Sequence, residues 1–156
     1  MKKLLSLLLL FLLVACAAPQ ARFDADYDAA TSAERGDLVF YAMSLIDTPY
    51  RFGGQGEEVG FDCSGYVGHV FRHELNIALP RTSREISQVG TPLHPSELRP
   101  GDLVFYNTLG RPFSHVGIYI GENKFVHSPK SGDRVRVEKM EYRYWQTRYN
   151  GARRIY

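Results

Sequence analysis

The stretch GFDCSGYVGHVF, residues 60–71, decides how the rest of the chain is read. Asp62 is a good N-cap residue, and Tyr66, Val67, Val70, Phe71 and Leu75 then recur at helical spacing, so the pattern predicts an amphipathic helix beginning at Asp62. Cys63 falls in the first turn of that helix. Unpaired backbone N–H groups there present about half a positive charge, which favours a thiolate and predicts a lowered pKa. The chain has only two cysteines, and the other, Cys16, ends a leucine-rich run, so the two have different fates.

The N-terminus explains Cys16. Lys2 and Lys3 precede LLSLLLLFLLVA, residues 4–15, a charged n-region followed by a short apolar h-region. A spanning helix needs roughly 20 apolar residues, and polar Gln20, Arg22 and Asp24 follow too soon, so residues 1–15 are expected to be a signal peptide. Leu13-Val14-Ala15-Cys16 resembles the bacterial lipobox, which implies lipidation of Cys16 and its exposure as the first mature residue. Cleavage after Ala15-Cys16-Ala17, releasing a secreted chain, is the alternative. By resemblance to lipoprotein sorting signals, Ala17 implies the periplasmic face of the outer membrane. With Cys16 lipidated, Cys63 has no partner for an intramolecular disulfide. It is then buried and inert, paired between molecules, or reactive by purpose.

Charge excludes one function class. The full chain carries 19 Lys and Arg against 17 Asp and Glu, and loss of residues 1–15 removes Lys2 and Lys3, leaving a formally neutral protein. Nothing in that balance points to nucleic acid. Residues 130–156 hold eight basic and three acidic side chains, which suits either an anionic envelope polymer or an ordinary solvated strand face.

Residues 16–31, rich in Ala and Asp, read as a tether from membrane to domain. Residues 32–156 are long enough for one hydrophobic core. Thr31 or Ser32 is placed to cap a first helix with Leu38, Ala42 and Leu45 on one face, stopped before Pro49. RFGGQGEEVG, residues 51–60, reads as a loop. Thr82-Ser83-Arg84-Glu85 has capping-box spacing and opens a third helix ending near Gly90. After Gly101 the chain turns to short β-rich runs at 102–106, 115–120, 124–128 and 134–138, with RYNGARRIY as a final strand. Helices first and an antiparallel meander second define an α+β fold, with N-terminal helices packed on a five- to six-stranded, mainly antiparallel sheet.

Five histidines could partner Cys63. His69 and His73 lie four apart on the helix, but no HExxH pattern joins them. His94 lies in a loop between Pro92 and Pro95. His115 opens one apolar strand and His127 closes the next, where a core strand has no structural use for either. A regular two-residue turn at Glu122-Asn123 would pair Ile118 with His127 and put the imidazoles on opposite faces. An odd-length loop or a bulge pairs Gly117 with His127 instead, leaving His115 one diagonal step away, about 7–8 Å between Cα atoms. The expected chemistry is then nucleophilic attack by Cys63, general acid–base catalysis by His115, and orientation of that ring by His127, with the Cys63 N–H holding the oxyanion.

Six segments in order resemble the NlpC-type cell-wall peptidases, papain-like cysteine hydrolases of peptidoglycan stem peptides. They are TPYRFGG (48–54), GFDCSGYV (60–67), LPRTS (79–83), LRPGDLVFY (98–106), SHVGIYIG (114–121) and FVHS (125–128). The resemblance spans residues 32–156 and implies Cys63, His115 and His127 as the catalytic set. It further implies Tyr50 as a second oxyanion donor and places Asp62 and Ser64 beside the nucleophile. Asp62 is read mainly as an N-cap, Ser64 as a substrate contact or helix-start residue, and Arg81 as structural. QGEEVG, residues 55–60, is longer and more acidic than the family pattern, which leaves the neighbouring subsite undefined. The implied substrate is a stem-peptide bond, γ-D-glutamyl-diaminopimelate or a crosslink, with no cofactor and no metal, in a monomer. No SH3-like segment is recognised, and the family pattern then implies acceptance of longer stems or intact sacculi.

Three alternatives stay open at this point. A papain-like amidase or acyltransferase would use the same triad. A non-catalytic peptidoglycan-binding lipoprotein would need no nucleophile. Zinc binding by Cys63, His115 and His127 lacks a fourth ligand.

Overall fold

The computed structural model describes residues 19–156, with side chains from residue 32 onward. The signal segment and Cys16 lie outside the described residues. The unit of residues 34–156 carries the sheet and the candidate site.

Helix α1 (Pro19–Ser44) is longer than its pattern predicts. It passes through Thr31 and Ser32 instead of being capped there, so residues 19–31, read as a tether, are helical. Pro19 suits a first helical position, and Ala21, Ala25, Ala29 and Ala30 are strong helix formers with no glycine before Gly36. The helix ends five residues before Pro49, and Asp47 beyond it adopts a left-handed φ of 71°.

Residues 51–61, read as a loop, contain a two-stranded hairpin of β1 (Gln55–Gly56) and β2 (Gly60–Phe61). It leads into α2 (Cys63–Leu75), which starts where the sequence places it, with Asp62 as N-cap and Asn76 as a left-handed C-cap. Helix α3 (Ser83–Ile86) carries the expected capping box from Thr82 and Glu85 but closes sooner than Gly90.

Six antiparallel strands make the main sheet: β3 (Thr91–Leu93), β4 (Leu103–Tyr106), β5 (His115–Gly121), β6 (Lys124–His127), β7 (Arg136–Lys139) and β8 (Tyr149–Arg154), in the order β3-β8-β4-β5-β6-β7. A short helix α4 (Arg143–Gln146) precedes β8. The short strand β3 and α4 were not read from the sequence; each is too brief to show a period.

The core has two sides. Leu38, Ala42 and Leu45 of α1 and Tyr66, Val67, Val70 and Phe71 of α2 pack with Leu103, Phe105, Val116, Ile118 and Val126 of the sheet. Alternation along the strands sends Val104, Tyr106, Tyr119 and Phe125 to the other face, where Trp145 of α4 covers them. A buried carboxylate ties the ends of this unit together: Asp102 pairs with Arg154 of β8 at 2.7 Å and Arg35 of α1 at 3.5 Å. Arg35 also donates to the Tyr156 carbonyl at 2.9 Å.

Candidate active site

The nucleophile candidate is placed by its neighbours. Asp62 Oδ1 accepts from the Gly65 amide at 2.7 Å and Oδ2 from the Gly53 amide at 3.0 Å, so one carboxylate caps α2 and clasps the preceding loop. Arg81 forms a two-pronged pair with Asp62 and donates to Ser64 Oγ at 2.9 Å. Burial works to raise the Asp62 pKa, but hydrogen bonds from Arg81, Gly65 and Ser64 outweigh it and hold the carboxyl below its ordinary value. Close backbone approach demands glycine at Gly54, Gly60 and Gly65. A Cβ at Gly65 would lie 2.0 Å from the Gly54 carbonyl oxygen, and one at Gly60, whose φ is 95°, would lie 2.5 Å from that of Pro49. The loop and the helix start can touch only without those side chains.

Cys63 is half-buried with a free thiol. The sequence reading expects a lowered pKa; the structure reverses it, and burial first and the Asp62 charge second push the thiol up to about 11. Backbone N–H groups of Val116, Ser64 and Cys63 itself act in the expected direction and are outweighed. The helix N-terminus is present as read. Its benefit is outweighed first by burial of the sulfur and then by the anionic Asp62 cap beside it. Both influences favour the thiol over the thiolate at rest.

Tyr50 lies in the same electrostatic cluster. Its phenol is raised above its ordinary value by burial, then by the charges of Cys63 and Asp62, with Arg81 opposing. It is half-buried and absent from the core clusters, and its hydroxyl makes no hydrogen bond among the described residues.

The histidines are brought together by one irregularity. The β5–β6 hairpin turns at Glu122 and Asn123, both at positive φ near 50°, the signature of a two-residue type I′ turn. A bulge at Ile120 then shifts the register, so Gly121 faces Lys124 while Ile118 faces Val126 and Tyr119 faces Phe125. That puts Gly117 opposite His127, as the bulged alternative requires. With no side chain at Gly117 between them, His115 Nε2 and His127 Nδ1 meet at 2.7 Å. A Cβ on Gly117 would lie 2.6 Å from Phe125 Cδ2 and 3.2 Å from His127 Cβ.

Both rings are buried, His115 at 3% and His127 at 0% exposure. Burial lowers the His115 pKa to about 4 and, together with the charges of His115 and Arg136, sends that of His127 well below its ordinary value. Two neutral imidazoles result, one donating to the other. For His115 to accept a proton from sulfur its Nδ1 must be bare, so Nε2–H donates to His127 Nδ1 and the His127 proton sits on Nε2. That nitrogen is buried without a partner among the described residues.

No hydrogen bond joins Cys63 to His115 among the described residues, although β5 passes close enough for the Val116 amide to act on the sulfur. Catalytic contacts that are loose in a ligand-free site tighten when substrate arrives.

Trp145 escaped the sequence reading. Its indole lies 5.8 Å from the His115 ring and 5.1 Å from His127, centroid to centroid, walling the pair from solvent. Its signal was its being the sole tryptophan. The remaining histidines are elsewhere. His69 and His73 stack with Tyr41, and His69 Nε2 lies 2.9 Å from the Tyr41 hydroxyl. His94 caps the 3-10 turn Pro95–Glu97. Among the described residues no cluster suits a metal ion.

This geometry has known relatives. The family model described as NlpC/P60 matches residues 47–154. The murein DD-endopeptidase MepH of Escherichia coli K12 is 42% identical over 116 residues, 72% of this chain and 43% of that protein. The gamma-DL-glutamyl hydrolase of Bacillus subtilis 168 is 39% identical over 119 residues, 76% of this chain and 29% of that one. Among solved structures, an NlpC/P60 family protein from Bacillus cereus superposes with a TM-score of 0.72 at 30% identity, over 77% of this chain and 39% of its own. The chain thus spans under half the length of these relatives, matching them through a single domain. By sequence and by fold, the chain belongs to the NlpC/P60 family.

Proposed function

We propose that the protein is a peptidoglycan hydrolase, a cysteine endopeptidase that cuts stem-peptide bonds, at γ-D-glutamyl-diaminopimelate or at a crosslink. The observation that carries the reading is the 2.7 Å His115–His127 pair across β5 and β6, with β5 running past the Cys63 helix. The family membership and the relatives' names support the substrate class.

The steps follow from the protonation states. Substrate brings Cys63 Sγ–H against His115 Nδ1; the proton moves to the ring as sulfur bonds to the scissile carbonyl carbon. His127 holds the imidazole in the required tautomer and, being neutral, orients more than it stabilises charge. The oxyanion is held by the Cys63 N–H, and the uncommitted Tyr50 hydroxyl is the second donor. His115 then passes its proton to the departing amine as the C–N bond breaks, leaving a thioester. Water, deprotonated by the same nitrogen, hydrolyses the thioester and returns the thiol.

Digestion of purified sacculi by wild type and Cys63→Ala, with mass spectrometry of the released muropeptides, tests this. Release by wild type alone is the expected result. Equal release by both removes Cys63 from the chemistry, and a sugar–peptide cut would make it an amidase.

For the N-terminus, the proposal is a lipid anchor on Cys16 after removal of residues 1–15, holding the domain as a monomer at the periplasmic face of the outer membrane. The lipobox-like LVAC and Ala17 support it. Metabolic labelling with palmitate, lost in Cys16→Ser, is the expected outcome; a soluble, unlabelled chain would overturn it.

A further inference from the structure

On the His115 side of the site lies a groove of about 420 Å3 that Cys63 does not line. Its walls include His115, Lys130, Asp133, Arg136, Glu138 and Tyr142. Two cations face two anions, and Arg136 is gripped between the acids, 3.2 Å from Asp133 Oδ1 and 2.8 Å from Glu138 Oε1. The pairing is incomplete on both sides. Asp133 Oδ2 is buried with no hydrogen-bond partner, and Arg136 Nη2 has none among the described residues. An acceptor short of a donor beside a donor short of an acceptor matches a ligand bearing an ammonium and a carboxylate on one carbon.

The chemistry of the proposed peptidase says which part of the substrate comes here. His115 delivers its proton to the departing amine, so the residue carrying that amine leaves from the imidazole's side. Diaminopimelate has such a centre at its D-end. In a crosslink cut its nitrogen is the scissile amide, which becomes an ammonium only on release; in a stem cut it is the free side-chain ammonium, present from the start. The carboxylate is there in both, and a lysine side chain has none.

We propose that this groove is the leaving-group subsite and that Arg136 and Asp133 select diaminopimelate over lysine by taking the carboxylate and ammonium of its D-centre. The inference rests on the peptidoglycan reading above.

The test is calorimetric titration of Cys63→Ala with meso-diaminopimelate blocked at its L-centre as the N-acetyl amide, the same compound with its D-centre carboxyl also amidated, and Nα-acetyl-L-lysinamide, so that only the first ligand offers a carboxylate beside an ammonium. The first is expected to bind about tenfold more tightly than the other two, the worth of one charge-assisted contact. This comparison changes only the ligand and needs no second substitution to fold. Adding Arg136→Gln should erase the preference, Arg136→Lys should restore part of it, and Asp133→Asn should weaken all ligands carrying the ammonium. Equal affinities, no binding, or a preference that survives Arg136→Gln would overturn the proposal. Digesting crosslinked and uncrosslinked muropeptides with wild type separates the two cuts. Failure of the peptidase reading has its own signature: Cys63→Ala releasing muropeptides like wild type, whatever diaminopimelate does.

Discussion

The protonation of Cys63 at rest can be measured directly. Its thiol is pushed up to about 11 from an ordinary value of 9.0. At pH 7 the thiolate fraction is then on the order of 10⁻⁴, about a hundredfold below that of an ordinary cysteine. A more basic thiolate is the better nucleophile, and a Brønsted slope of about 0.4–0.5 over these two units returns nearly tenfold. The net expectation is alkylation by iodoacetamide about tenfold slower than for a solvated thiol, with log rate rising at unit slope from about pH 6 to about pH 10. Peptide mass spectrometry reads Cys63 separately from Cys16. Asp62→Asn, which can keep the cap and removes the adjacent charge, should speed the reaction several-fold. A rate plateau from about pH 5 to about pH 8, with thiolate absorbance in the ultraviolet, would mean a preformed thiolate–imidazolium pair and refute the reasoning.

The two neutral histidines also set an acid limit on stability. His115 has a folded pKa of about 4 against 6.5 ordinarily, so the unfolded chain binds the extra proton between those values and stability falls as pH drops through that window. His115 alone accounts for about 3 kcal/mol, and thermal melts at pH 7 and 4.5 should show the loss in wild type and a smaller one in His115→Asn. Gly117→Ala should cost about 1–3 kcal/mol by overpacking and more than its share of activity, because its methyl presses on Phe125 and His127; melting and muropeptide release read the two effects. Tyr50→Phe should lower kcat about 10²-fold with KM little changed if the hydroxyl holds the oxyanion, whereas unchanged turnover assigns Tyr50 to packing. Arg81→Ala should cost about 1–3 kcal/mol, read in denaturant melts, since it strips the charged partner from Asp62.

Much of the architecture was legible because it rests on periodicity and capping. Asp62, the apolar face of α2 and the Thr82–Glu85 box are local signals, and each element starts where they place it. The start of α1 was misplaced because Thr31 and Ser32 are good caps only where the preceding chain is not helical, and the alanines before them carry the helix through. For the histidines, counting residues narrowed the hairpin to two registers, and a bulge decided between them. Its position at Ile120 was not legible, since no side chain there demands it. The thiol's state was misread for a different reason. A helix N-terminus is visible in sequence, whereas desolvation depends on how closely distant β5, through Val116, packs on the helix start. Trp145 and the charged groove lie where α4, β7 and the 128–134 segment converge, a meeting of distant residues that no local pattern encodes.

A cysteine kept protonated at rest changes what activates the site. Oxidants and alkylating agents react with thiolate, so a sulfur with a raised pKa is protected while no substrate is bound. Bare His115 is equally uncommitted, since burial keeps its proton off until something offers one. Substrate supplies what neither group supplies alone: its bulk brings Sγ–H against Nδ1, and its carbonyl carbon gives the departing electron pair a destination. Asp62 then has two opposed effects. It caps α2 and holds Arg81 and Ser64 in place, and its charge raises the thiol pKa against the helix dipole. A neutral cap would make a more acidic cysteine. The anionic one couples ionisation of sulfur to the arrival of a peptide, and Asp62→Asn separates the two effects, since it should raise alkylation without raising peptidase turnover in proportion.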